Sequence, residues 1–332
     1  MSRIHVLAPG QFTTVQDLGR PGWQRHGVTP GGALDARALR LANLLVGNAE
    51  GAAALELTLT GPTLRFLAEA LVAVTGADFQ VTVSGRRLPA WRPVRLAAGT
   101  ELVLGAAATG CRGYLAVAGG IAVPRVLGGR GTHLAAGFGG MNGRALRAGD
   151  VLKNGPPSAW ARRLAAELAG PGAFAAPRWE IGAEARPPRG AAPTLRAVRG
   201  PQWDWFGAEA REHFLGGRYT VTARSDRMGL RLAGPPLTDG GLPEMVSEGV
   251  ATGTIQVPPD GQPIVLLADR QTVGGYPKIA NVATVDLSAL AQVKPGDTVG
   301  FSEVTVAEAQ ELWLAAERQI ATVKHGIAAH TA

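Results

Sequence analysis

The sequence predicts a mainly β protein built from two related β-barrel units with few helices, and three observations carry that reading. Short apolar runs alternate with period two, glycine-containing turns punctuate them, and only two stretches show sustained helical spacing. Leu55-Glu-Leu-Thr-Leu, Val81-Thr-Val and Tyr219-Thr-Val-Thr put every second side chain on one face, as half-buried strands require. From Asp35 to Val46, residues Ala38, Leu41, Ala42 and Leu45 share a helix face, Asp35 stands at the N-cap, and Gly47-Asn48 supplies the stop. The second helix runs from Thr305 to about Val323. Thr305 and Glu308 there have capping-box spacing, and Leu312, Ala315, Ala316 and Ile320 form the apolar face.

At 332 residues the chain exceeds the ~250 at which a single core stops growing, so two domains are expected. The first unit is placed at 1–155 and the second at 196–303, with the helix at 304–323 closing the chain. Between the units, residues 156–195 shift from GPPSAW through an alanine-rich helical piece to ARPPRGAAP and read as a linker. A faint internal echo supports two related units. RAGDVL at 147–152 and KPGDTVGF at 294–301 each set Gly-Asp before a final strand, although AAGTELVL at 97–104 carries a similar turn.

Composition narrows the function classes. With 46% hydrophobic and 18% charged residues the chain is globular, and no segment approaches the ~20 apolar residues of a membrane span. MSRIHVLAPG lacks the apolar stretch of a signal peptide, so a cytoplasmic location is expected. The lone Cys111 rules out an internal disulfide and any CxxC metal site. A net charge of +7 raises nucleic acid as a partner. The arginines are scattered, however, lysine occurs only at 153, 278, 294 and 324, and no basic stripe with interleaved aromatics emerges.

The standard catalytic signatures are missing. There is no GxSxG, HExxH or Walker A loop, and GFGGMNG at 137–143 is not GxGxxG because Asn142 breaks it. No lysine has a biotin-attachment context, and the six histidines are dispersed without metal-ligand spacing. What remains are polar clusters at strand ends. Residues 15–35 bring Gln16, Asp17, Arg20 and Asp35 beside glycine turns, either for a ligand against main-chain N–H groups or as plain turn chemistry. SDRMGLRL (225–232), SEGVATGTIQVPPDG (247–261) and LADRQTVGGYPKIA (267–280) bring a second set. Arg227 suits bidentate capture of a carboxylate or carboxamide oxygen. Gln256 and Gln271 suit an amide or ureido group, Glu248 or Asp269 are candidate bases, and Lys278 is a candidate for an anion or developing oxyanion. The expected set is catalytic Asp269, Glu248 and Lys278, substrate-binding Arg20, Asp35, Arg227, Gln256, Gln271, Thr272 and Tyr276, and no metal.

QDLGRPG, PGGALD, LANLLVGN, ALELTLTGPTLRF, GYLAVAGGI, SDRMGLRL, SEGVATGTIQVPPDGQPIVLLADRQTVGGYPKIA and AQVKPGDTVGF occur in order from about residue 3 to 303. In these runs the chain resembles the biotin-dependent carboxyltransferase / allophanate hydrolase family of second subunits, and within it the KipA-like members that form the C component of bacterial 5-oxoprolinases. The resemblance implies two cyclophilin-like β-barrel units. It also implies two partner proteins, the KipI-like B component and the A component, which with this chain open 5-oxoproline to glutamate at the expense of ATP. ATP is then used by the complex rather than clearly bound here, and no biotin is attached. Other members sit in urea carboxylases and move a carboxyl group from biotin, and a third role is regulatory binding of a KipI-like kinase inhibitor. The chain departs from the family's Gly-Ser-Arg-Ser-Thr turn, carrying Gly129-Arg130-Gly131-Thr132, which puts any serine role there in doubt. On residue type and placement, Asp269, Gln271, Thr272 and Tyr276 are expected at the mouth of the second barrel, with Gly274-Gly275 folding over a small cyclic amide.

Overall fold

The structure, a computed structural model, describes residues 3–186, 192–238, 241–243 and 245–330. It is mainly β, with nineteen strands and five α-helices among the described residues. The chain divides into two units that are not consecutive in sequence. The first comprises Met1–Arg20, Asp35–Pro187 and Gln319–Ala332, the second Pro21–Leu34 and Pro188–Arg318.

The first unit is one ten-stranded sheet, with β1 (Arg3–Ala8), β2 (Phe12–Gln16), β3 (Ala54–Thr58), β4 (Thr63–Phe66), β5 (Ala70–Val83), β6 (Arg86–Arg87), β7 (Val94–Leu96), β8 (Glu101–Val117), β9 (Val151–Lys153) and β10 (Phe174–Ala175). Its main path runs β10-β7-β5-β8-β4-β1-β9, and β2 joins through β3. The alternation seen in the sequence sends Leu55, Leu57, Val72, Val74, Leu102 and Leu115 into one core. Each such side chain contributes about 1.5–3 kcal/mol by leaving water. Helix α1 (Ala36–Leu45) forms where the apolar spacing predicts it, with Ala38, Leu41, Ala42 and Leu45 buried, and Thr75 Oγ1 donates to Ala38 O at 2.7 Å.

The second unit holds a closed barrel of β11 (Thr194–Arg199), β12 (Tyr219–Val221), β13 (Gly229–Ala233), β15 (Thr254–Gln256), β16 (Ile264–Leu266), β18 (Lys278–Val282) and β19 (Thr298–Glu303), in the order β11-β18-β15-β16-β13-β12-β19. A separate two-stranded ribbon pairs β14 (Glu248–Gly249) with β17 (Val273–Gly274). Leu230, Leu232, Ile255, Val265, Ile279 and Phe301 fill the core, with α3 (Ala208–Gly216) contributing Phe214 and α4 (Leu287–Leu290) contributing Leu290. Phe214 and Phe301 stack at 4.7 Å, worth about 0.5–1.5 kcal/mol beyond the area they bury.

Three boundaries differ from the sequence reading. The stretch expected as a linker at 156–195 carries α2 (Ala159–Glu167), capped by Ser158, and β10, which pairs with β7. Much of it is therefore part of the first unit, and residues 187–191 lie outside the described residues. Its Pro-Gly-Ala composition is a poor guide because two elements short enough to tolerate it suffice to join the sheet. The second unit also draws in Pro21–Leu34 from far upstream, which no local pattern announces. The last helix, α5 (Val306–Ala329), runs six residues past Val323, since nothing between Lys324 and Ala329 except Gly326 disfavours helix. No helix among the described residues is long and apolar enough to cross a membrane.

Candidate functional site

Strand register in the barrel places the polar candidates. Arg231 lies opposite Ile264, Ile264 opposite Gln256, and Gln256 opposite Lys278, across β13, β16, β15 and β18. Residues directly opposite share a face. Their neighbours Leu230, Val265 and Ile255 belong to the barrel core, so Arg231, Ile264 and Gln256 face away from it, and a bulge between Ile255 and Gln256 sets Lys278 opposite Gln256. None of the residues expected at the barrel mouth, Asp269, Gln271, Thr272 and Tyr276, belongs to this row. A period-two strand at the edge of an apolar run gives no sign of which polar end faces a lumen and which faces outward.

A cavity of about 380 Å³ lies against this wall, within the range of small-molecule sites. Gln256, Gln271 and Tyr276 line it together with Arg224, Arg231 and Asp260. Gln256 is buried and held on both ends of its amide. Its Nε2 donates to Tyr276 O at 3.1 Å, and its Oε1 accepts from Gln271 Nε2 at 3.3 Å. Gly274 makes this possible, because a Cβ there would stand 2.6 Å from Gln256 Nε2. Sequence reasoning missed Arg224, Arg231 and Asp260. The signals are present, with Arg231 on the polar phase of the GLRLA strand and Asp260 in an Asp-Gly turn.

At the end of this row, Lys278 Nζ donates to Glu248 Oε2 in an ion pair whose lysine end is buried and whose glutamate end is half exposed. The ribbon brings Glu248 there by pairing it with Gly274. Thr272 enters the same ribbon through its carbonyl, which accepts from Val250 N at 3.2 Å.

Arg227 and Asp269 form a different unit of structure. Arg227 Nε donates to Asp269 Oδ2 at 2.8 Å and Nη2 to Asp269 Oδ1 at 3.2 Å, and Nη2 also reaches Gly32 O at 2.6 Å. Both side chains are largely buried, 5% and 12% exposed. Thr29 Oγ1 and Gly31 N donate to Ala268 O at 3.1 and 3.2 Å, so this pair fastens the 21–34 segment to the barrel. Asp269, read as a candidate base, has both carboxylate oxygens engaged by one guanidinium.

Arg20 and Asp35 belong to the first unit. Asp35 caps α1 by accepting from Ala38 N at 3.0 Å, while its own N–H donates to Tyr114 Oη at 2.8 Å. Tyr114 donates onward to Glu56 Oε2 at 2.8 Å, and burial followed by the nearby Glu56 carboxylate pushes its phenol well above the ordinary range. Arg20 donates to Val126 O and Gly131 O and lies 5.0 Å over the Phe138 ring. Asp17 joins the same turn, accepting from Gly19 N at 2.8 Å and from Arg130 N. These are the contacts of turn and cap residues.

A two-unit β protein with a ligand-sized, cation- and amide-lined cavity on the flank of its closed barrel is the class these features define. The family model described as "Carboxyltransferase domain, subdomain A and B" matches residues 26–303, and the chain belongs to that family. It is 38% identical over 309 residues to the C component of the 5-oxoprolinase of Haemophilus influenzae, covering 93% of this chain and 94% of that protein. The corresponding 5-oxoprolinase component of Escherichia coli is also 38% identical, over 307 residues, covering 92% of this chain and 93% of that one. The crystal structure of the K. lactis urea amidolyase superposes with a TM-score of 0.85 at 33% identity, covering 96% of this chain and 20% of that much longer one.

Proposed function

We propose that this chain is one component of an ATP-dependent 5-oxoprolinase complex and that the flank of its barrel handles the cyclic amide or its activated form. The observation that carries the reading is end-to-end similarity to two proteins named as the C component of 5-oxoprolinase, against similarity to only a fifth of the urea amidolyase. The cavity supports it chemically. Gln256 and Gln271 offer paired amide donors and acceptors to a lactam, Arg224 and Arg231 offer positive charge to a carboxylate or an oxyanion, and Lys278 stands opposite Gln256 on the next strand.

A lactam is resonance-stabilised, so its opening requires the carbonyl oxygen to be activated, here by phosphorylation from ATP. Water then adds to the phosphorylated carbonyl carbon, the ring C–N bond breaks as the nitrogen takes a proton, and a second water cleaves the resulting acyl phosphate to glutamate and inorganic phosphate. Lys278 steadies negative charge, and Glu248, exposed on its outer side, takes the proton from water. Asp269 acts by holding Arg227 and the 21–34 segment rather than as a base. ATP is used by the complex and is not clearly bound by this chain, which carries no biotin.

The test is glutamate release from 5-oxoproline and ATP by the chain mixed with its A and B partners. Turnover is expected only with all three present, and Lys278→Met in the assembled complex should lower kcat by about 10²-fold or more. A correctly assembled complex that releases no glutamate would sink the proposal, and transfer of a carboxyl group from biotin would replace it.

A further inference from the structure

Arg270 is 4% exposed, yet none of its hydrogen bonds or ion pairs involves a carboxylate among the described residues. Its Nε donates to Val250 O at 3.2 Å and its Nη1 to Thr252 Oγ1 at 3.0 Å. A guanidinium carries five N–H donors, so three are left. The neighbouring Arg227, buried to the same degree, is neutralised by a bidentate carboxylate. Burying a cation without a counter-charge costs several kcal/mol per ion and is tolerated where something else supplies the charge. Burial also lowers the Arg270 pKa from its ordinary value, the sign expected for a cation without a partner.

The surroundings add a second donor. Thr252 Oγ1 accepts from Arg270, which leaves its own hydroxyl proton to donate. Both residues sit on the two loops that leave the same end of the antiparallel β14–β17 ribbon: Val250 and Thr252 follow β14, and Arg270 precedes β17. A guanidinium with spare N–H donors beside a hydroxyl has the donor chemistry to receive a small oxyanion.

We propose that Arg270 and Thr252 form a binding site for a small oxyanion of the carboxylate or phosphate type, which supplies the counter-charge that the fold withholds. The site does not depend on the oxoprolinase reading, because it rests on the chain's own charge balance. Occupancy would tie the 250–252 loop to the segment leading into β17, next to Glu248 and the cavity wall.

Formate and inorganic phosphate are the probes, titrated separately into the full-length chain at constant ionic strength. The Arg270 Nε–Hε resonance and the melting temperature are followed together. A saturable shift of both is expected, and Arg270→Gln should weaken the apparent affinity at least ten-fold. Arg270→Lys should rescue little, since an ammonium lacks the fork. Thr252→Val, which keeps the guanidinium, should weaken it several-fold and serves as the test if Arg270→Gln does not fold. Saturation by formate alone identifies a carboxylate site, by phosphate alone a phosphate site, and by both a general oxyanion site. No saturable response in the wild type, or one unchanged in Thr252→Val and Arg270→Gln, overturns the proposal.

Discussion

Arg227 and Asp269 show how much a side chain's meaning depends on its partner. With the pair this deeply buried, removing one member strands the other, at a cost of about 3–5 kcal/mol, whereas replacing both costs less than the sum. Asp269→Ala should therefore lower the denaturation free energy by that amount, and Arg227→Met with Asp269→Ala should show a coupling energy above about 1 kcal/mol. Additive losses would mean that the two do not act as a pair. Gly274 makes the opposite kind of prediction, because its role is the space it leaves. In Gly274→Ala the new Cβ pushes the Gln256 amide off Tyr276 O, with a loss of about 0.5–1.5 kcal/mol. That loss should shrink when Gln256 is also changed to Ala, and an undiminished penalty would place the clash elsewhere. The residue types of this site are readable in the sequence. Which carboxylate meets which cation is not: Asp269 and Glu248 look alike as letters, and only the register separates a locked counter-ion from a half-exposed acid.

Short elements carry most of what could be foreseen. The period-two runs become strands, and Asp35 and Thr305 cap the helices they precede, the latter through Glu308 in the expected box. The Gly-Asp echo also has a structural basis. Asp150 N donates to Arg147 O and Arg147 N to Asp150 Oδ2, and Asp297 N donates to Lys294 O and Lys294 N to Asp297 Oδ2, with Gly149 and Gly296 at φ of 87° and 92°. The Ala97–Thr100 turn shares the backbone bond and the glycine, with Gly99 at φ 80°. The motif is thus a turn that any strand entry can use, and its recurrence reports local chemistry rather than duplication. The Asp150 version makes a pH prediction. Its hydrogen bond from Arg144, with help from Arg147 N–H and against burial, holds the carboxyl below the usual aspartate value of about 3.9. A depressed folded-state pKa adds stability that is complete above the unfolded value and fades as pH falls through the folded one. The stability gap between wild type and Asp150→Asn should then be constant from pH 7 to about 5 and close below about 4. A gap that stays open at low pH would show that the carboxylate's charge is not what the turn uses.

At the scale of the whole molecule, the chain's order and its units disagree. Residues 21–34 lie upstream of the first unit's helix yet belong to the second unit, where Leu34 joins the core and Thr29, Gly31 and Gly32 bond to Ala268 and Arg227. A contiguous second domain, as sequence composition implies, would leave that part of the core uncovered and the Arg227 guanidinium without one of its acceptors. These fourteen residues, with one short 3₁₀ turn at Gln24–His26, carry no periodicity to reveal where they dock, so their place is not legible in the sequence. The consequence is testable with a fragment spanning 192–318. Alone it should melt well below the corresponding transition of the full chain, and a synthetic 21–34 peptide should raise its melting temperature in a concentration-dependent way. At a hundred times its Kd the peptide should add about 2.7 kcal/mol, because it binds only the folded fragment. The same peptide should act more weakly on a fragment carrying Arg227→Met, which lacks the donor to Gly32 O. A fragment that melts like the full chain and ignores the peptide would show that the segment is an ornament of the barrel rather than part of it.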